Sequence, residues 1–209
     1  MAISKIITNS IADTAISTAK IADDAVGNTK LDLSADYAFT GTITGAGGGG
    51  GGKILQIQST LYSSAFSQSG TANTTITVNN LSVSITPSAT SSKIFLFGRL
   101  FHEHSQNAIN QVYYFLRGGT AINIHPSSGS RLLGMSSNQT NLDSDSTSTA
   151  DTQSMFTVDS PNTTSAVTYQ IGVKNNQNGT LYVNRTVNDS DTADFERGTS
   201  EIIAMEVGA

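Results

Sequence analysis

From position 167 the chain reads Val167-Thr168-Tyr169-Gln170-Ile171-Gly172-Val173-Lys174, then passes Asn178-Gly179 into Thr180-Leu181-Tyr182-Val183-Asn184-Arg185. β-Branched and aromatic residues alternate with polar ones on both sides of a turn dipeptide, the pattern of half-buried strands. Asn-Gly accepts φ > 0 at both central positions of a tight turn, so the passage predicts a β-hairpin. The same texture fills the preceding chain at 54–58, at 75–78 and 81–85 around Asn79-Asn80, and at 93–101, 110–117, 120–124 and 153–158. Residues 201–207 then close the chain as an edge or central strand. Nine or ten such runs with no helical periodicity predict an all-β fold for 53–209, an antiparallel, jelly-roll-like β-sandwich head. Two polar tracts interrupt the runs, 127–130 and the long loop 136–150, and long loops on rigid sandwiches are where partners make contact.

Composition agrees with that class and excludes others. Ser, Thr and Asn number 28, 27 and 16 of 209 residues, only 13% are charged, and Cys and Trp are absent. Without cysteine there is no disulfide framework, thiolate metal cage or cysteine nucleophile. A net charge of −5 opposes a grip on nucleic acid or an anionic membrane surface. No apolar stretch approaches the length that inserts into a bilayer, and the start Met1-Ala2-Ile3-Ser4-Lys5-Ile6-Ile7 has no signal-peptide core.

Six consecutive glycines, 47 to 52, lie in a linker at 45–52 that separates an arm, 1–44, from the sandwich region. Their backbone entropy makes them a hinge or else a backbone-only packing element, and collagen is excluded because the third-residue period is missing. Within the arm Ile6, Ile11, Ile16, Ile21, Val26 and Leu31 recur every five residues, under a ten-residue repeat closed by Lys20 and Lys30. On an α-helix a five-residue step scatters these side chains around the cylinder, and on a strand it throws them onto alternate faces. A square β-solenoid would need more coils than six pentads supply. A shaft in which identical chains turn the aliphatics toward a shared axis satisfies the period, and an extended arm on a partner surface is the alternative.

Chemistry-bearing clusters are sparse. His102-Glu103-His104 places both imidazoles on one face of a strand, where they are candidate metal ligands, although His125 has no evident place beside them. The plainer reading is a polar strand end. Asp143-Ser144-Asp145 and the acidic run 188–196 lack the glycine and terminal glutamate of a calcium loop. No Gly-x-Ser-x-Gly elbow occurs, and nothing selects a glycosidase pair among sixteen acids, so no catalytic residue or cofactor is expected and the chain does not read as an enzyme. Six sequons match what such an Asn-, Ser- and Thr-rich composition yields by chance. Tyr113, Tyr114, Phe115 and Tyr169 suit a core or interface better than a sugar platform.

The arm segment from Asn9 to Val26 resembles the repeated shaft segments of tail fibre proteins from tailed bacteriophages of aquatic bacteria, including cyanophages. The strings Ser92-Lys93-Ile94-Phe95-Leu96, Asp159-Ser160-Pro161-Asn162-Thr163-Thr164-Ser165-Ala166-Val167-Thr168-Tyr169, Leu181-Tyr182-Val183-Asn184-Arg185 and Ile202-Ile203-Ala204-Met205-Glu206 are similar to the heads such fibres carry. The resemblance implies a homotrimer in the virion. Its N-terminal arm would join other virion proteins, and its outward head would meet a host cell-surface glycan or protein. So few repeats imply a short fibre, and a capsid decoration or head-fibre protein on the shell is the alternative. A carbohydrate-active enzyme at the fibre tip is a third reading from another class.

Overall fold

A computed structural model describes residues 52–106, 110–137 and 147–208. The chain divides into two units, 1–49 and 50–209, and the described residues all belong to the second. The six pentad aliphatics lie outside the described residues.

Among the described residues eleven strands form two antiparallel sheets: β1 Ile54–Tyr62, β2 Phe66–Gly70, β3 Thr75–Ile85, β4 Lys93–His104, β5 Gln111–Arg117, β6 Thr120–Ala121, β7 Ser136–Ser137, β8 Asp151–Asp159, β9 Val167–Asn175, β10 Gly179–Val183 and β11 Ser200–Val207. The first sheet runs β1-β11-β4-β10-β2, with β8 on the other edge of β4; the second runs β3-β9-β5-β6, with β7 also pairing β5. The all-β sandwich expected from the sequence is therefore the fold.

Period-two patterning builds the core. Ile94, Leu96 and Leu100 of β4 point inward, and Tyr169, Ile171 and Val173 of β9 meet them from the opposing sheet, all fully buried. Gly98 continues the inward row of β4; a Cβ there would lie 3.0 Å from the Phe115 ring, so its small size gives that ring its place. β5 is buried on both faces. Tyr113 and Phe115 enter the sandwich core, while Val112, Tyr114 and Leu116 form a second cluster with Ile124, Leu132 and Met135. That double burial explains the unbroken apolar run Val112-Tyr113-Tyr114-Phe115-Leu116.

Two turn predictions are corrected. Asn178-Gly179 does not close a hairpin: β9 ends in the second sheet, where Asn175 pairs Gln111, and β10 begins in the first, where Gly179 pairs Gly70. Residues 176–178 cross between sheets, and Asn178 accepts a hydrogen bond from Ala72 N–H at 2.8 Å. Gly179 is not at positive φ; its glycine is required because a Cβ would come within 2.3 Å of His104 Cε1. The tight two-residue hairpin lies instead at Gly118-Gly119, with φ of 53° and 83°, between paired Arg117 and Thr120. Asn79-Asn80 likewise does not end a strand. It is a bulge within β3: five residue steps from Thr77 to Ser82 face two on β9, and Asn80 takes φ 69°. The bulge resets the phase, so Ile76 and Val78 before it and Leu81, Val83 and Ile85 after it all point inward.

Candidate functional site

The sandwich has two poles with different chemistry. At one, the chain enters through Lys53 into β1 and leaves through Gly208, whose N–H donates to Lys53 O at 2.9 Å. Two buried acids close this pole. Glu206 is fully buried; its Oε1 accepts from Ser88 N–H at 2.6 Å and Ser88 Oγ at 2.7 Å, and its Oε2 accepts from Gln56 Nε2 at 2.6 Å. Burial pushes its pKa up, but the hydrogen bonds from Gln56 and Ser88 outweigh it and hold the carboxyl at about 2. Asp159 accepts from Tyr169 OH at 2.7 Å and pairs with Arg117 at 3.0 Å.

At the opposite pole β4 ends in His102-Glu103-His104. Alternation places both imidazoles in the interior, as the sequence spacing requires, and both are buried. His102 Nε2 is 2.9 Å from Tyr113 OH; His104 Nδ1 accepts from Gln106 N–H at 3.2 Å, and Asn175 Nδ2 lies 3.3 Å from His104 Nε2. Desolvation pulls both histidines down to about 4, so they are neutral near pH 7, and burial raises Tyr113 far above its ordinary value. Among the described residues no group of three or more His, Asp or Glu is placed to hold a metal ion. His125 lies elsewhere, exposed, with Nδ1 2.7 Å from Pro126 O.

Glu103 points to the other side of the sheet and ties down the loops that cover it. Its Oε1 accepts from Thr149 N–H at 3.1 Å and Thr149 Oγ1 at 3.0 Å, and its Oε2 accepts from Val187 N–H at 2.7 Å. Beside this clamp Arg185 stacks over Tyr182 at 4.9 Å, and Asp189 bridges Arg185 and Arg197. The acidic run at 188–196 thus spends Asp189 on ion pairs with two arginines; the 143–145 acids lie outside the described residues. Tyr113, Tyr114, Phe115 and Tyr169 are all buried, which leaves their rings no free face for a sugar.

One concave feature of the head lies toward this second pole, on the outer side of β5. The segment 122–137 wraps over Val112, Tyr114 and Leu116 and leaves a cleft of about 500 Å3, with a neighbouring one of about 390 Å3 that shares Val112, Arg131, Leu132 and Ser137. Arg131 holds the rim by donating from Nη1 to Ser128 O at 3.3 Å and Ser128 Oγ at 3.2 Å. Arg131 and His125 are the titratable residues lining the larger cleft, so its polar rim is donor-rich and without an acid. Sequence reading did not find this cleft, because it arises from β7, a two-residue pairing of Ser136-Ser137 with Val112 and Tyr113 inside what reads as a polar loop.

No protein-family model matches the sequence, and no curated protein is similar to it. Two solved structures that it resembles are the T=1 particles derived from infectious bursal virus, with TM-score 0.38, 12% identity, 73% of this chain and 40% of that chain, and the VP2 subviral particle of infectious bursal disease virus, with TM-score 0.34, 12% identity, 74% of this chain and 42% of that chain. The chain spans about two fifths of the length of either neighbour. A likeness at these scores is one of strand layering and carries no argument about function.

Proposed function

We propose that this chain is a structural virion protein of a tailed bacteriophage, a short homotrimeric fibre that attaches by its N-terminal arm and meets the host surface with its sandwich head. The observation that carries the reading is the polarity of the head. The chain enters at the pole of Glu206 and Asp159, whereas the clefts, the Glu103-clamped loops and the sheet-crossing loop 176–178 gather toward the opposite pole. A head so arranged keeps its loop-borne surface away from the point where the chain enters it. The resemblance of the arm to fibre shafts supplies the tether and the number of chains, and its five-residue aliphatic period supplies a reason for several chains to associate. The contact chemistry of the cleft, the Arg131 guanidinium with no acid in the lining, suits an acidic surface glycan. Weak contacts made by copies on one particle then combine by avidity.

Localisation on purified particles by labelled antibody tests the assignment. Signal at the tail is the expected result; signal on the icosahedral shell would instead make the protein a capsid decoration. Glycan-array binding by the intact protein tests the cleft: Arg131→Ala should weaken binding to acidic glycans, and equal binding by both proteins would place recognition elsewhere.

A further inference from the structure

The outer face of the first sheet carries an apolar surface that the core does not use. Cross-strand register lines its side chains up in rows over β1, β11, β4 and β8. One row is Ser59, Ile203, Phe97 and Phe156; the next is Ile57, Met205, Phe95 and Val158. Neither contains a charge. Phe156 is 79% exposed, Leu61 61%, Ile57 54% and Phe97 42%. With Ile54, Leu55 and Val158, and at about 150–200 Å2 for each large apolar side chain, toward the lower end of the aromatic range, the exposed area is roughly 600–770 Å2. That exceeds the largest patch on most monomers, about 300–600 Å2, and approaches the ~800 Å2 each partner gives to a standard interface.

We infer that this face is the contact between copies of the head, an inference that rests on the homotrimeric reading and names its surface. Three features favour a second copy over another occupant. The face bears both a protruding ring, Phe156, and beside it a dent of about 230 Å3 between Phe97, Arg99, Glu201 and Ile203, the knob and socket that a self-association surface needs. One bordering row, Ser154, Arg99, Glu201 and Leu61, sets one cation opposite one anion, and the row on the other side carries Lys93 beside Val207, its Nζ donating to Ser160 Oγ at 2.7 Å, so a copy meets few charges of like sign. The 51 residues that precede the described chain lead into β1, the edge strand of this same face; chains joined through their arms hold their heads within linker reach, where even a modest surface associates. Covering β1 also removes a long apolar edge that otherwise invites misassembly.

The test uses the full chain with Phe156 replaced by p-benzoylphenylalanine, expressed as a mixture of 14N- and 15N-labelled copies, irradiated, and mapped by mass spectrometry. Expected are mixed-isotope cross-links from position 156 to β1, β4 or β11 of another copy, reduced about tenfold or more by Phe97→Glu, which would bury an unpaired carboxylate. Circular dichroism checks that the variant remains folded, and Phe97→Ser serves as a second variant if it does not. Cross-links to residues 1–44, cross-links only within one head, or none at all would overturn the inference. Light-scattering mass separates the two failures: a multiple-chain mass leaves the fibre reading standing, and a single-chain mass removes both.

Discussion

At the scale of single residues, protons sealed between the sheets couple acidity to folding. Burial lowers His102 and His104 from 6.5 to about 4; for His102 the Asp151 charge opposes that and the neighbouring His104 adds to it. Between those values the unfolded chain binds more protons than the folded one. Stability is therefore intact above pH 6.5 and falls as pH drops toward 4, with His102 alone contributing about 1.4 kcal/mol per pH unit. Glu206 acts in a lower window: its folded value of about 2 lies below the ordinary 4.5, so the stability it provides is lost as pH falls from 4.5 toward 2. Thermal melts across this range should show an acid limb that begins near neutrality, and Glu206→Gln should lower the melting temperature at pH 7 while flattening the lower part of the limb. A wild-type melting temperature constant down to pH 4 would contradict the histidine coupling. Gly179 gives a steric counterpart: Gly179→Ala forces a Cβ against the His104 ring, an overpacking of about 1–3 kcal/mol, read as a lower denaturant midpoint. The sequence shows that a glycine stands at 179 but not why. Asn-Gly has the same letters whether the glycine serves positive φ or close approach, and only the His104 ring on the neighbouring strand β4 distinguishes them.

Elements follow their local pattern wherever the pattern reports burial. β4, β9 and β11 were legible because each alternates, and β5 because its unbroken apolar run matches a strand covered on both faces. β2, Phe66–Gly70, was not legible, since Phe66-Ser67-Gln68-Ser69-Gly70 holds one large apolar residue and is a strand through its pairing with β10. β7 was missed for the same reason. The Glu103 clamp was equally hidden: its neighbours His102 and His104 draw attention as ligands, while its partners Thr149 and Val187 lie 46 and 84 residues away. Replacing Glu103 with Ala leaves the Thr149 and Val187 amides without their carboxylate acceptor, at about 1–3 kcal/mol for such buried groups. Hydrogen exchange at Thr149 and Val187 should rise in Glu103→Ala while the amides of β9 remain protected; unchanged exchange at both positions would show that other contacts hold the loops.

For the whole molecule, the sequence sets a glycine run and a five-residue period apart from strand texture, and of the three only the strand texture falls among the described residues. Which surfaces meet partners was not readable. The apolar rows of the first sheet come from four strands spread between positions 54 and 207, and no local window contains a row. Deleting residues 1–44 should leave the head with its native melting behaviour and circular dichroism, because the core between the two sheets is built from buried residues between Ile76 and Ala204, yet abolish incorporation into particles; truncated protein recovered on purified virions at wild-type levels would remove the arm from attachment.

Lys53 and Gly208 lie side by side, the strands that begin and end the head being neighbours in one sheet. The sandwich is thus a cassette plugged in through a single socket. A fluorescent protein fused behind position 208 would sit beside the point where the chain enters the head and leave the opposite pole unobstructed, and a foreign sandwich with the same adjacent ends could be exchanged for this one.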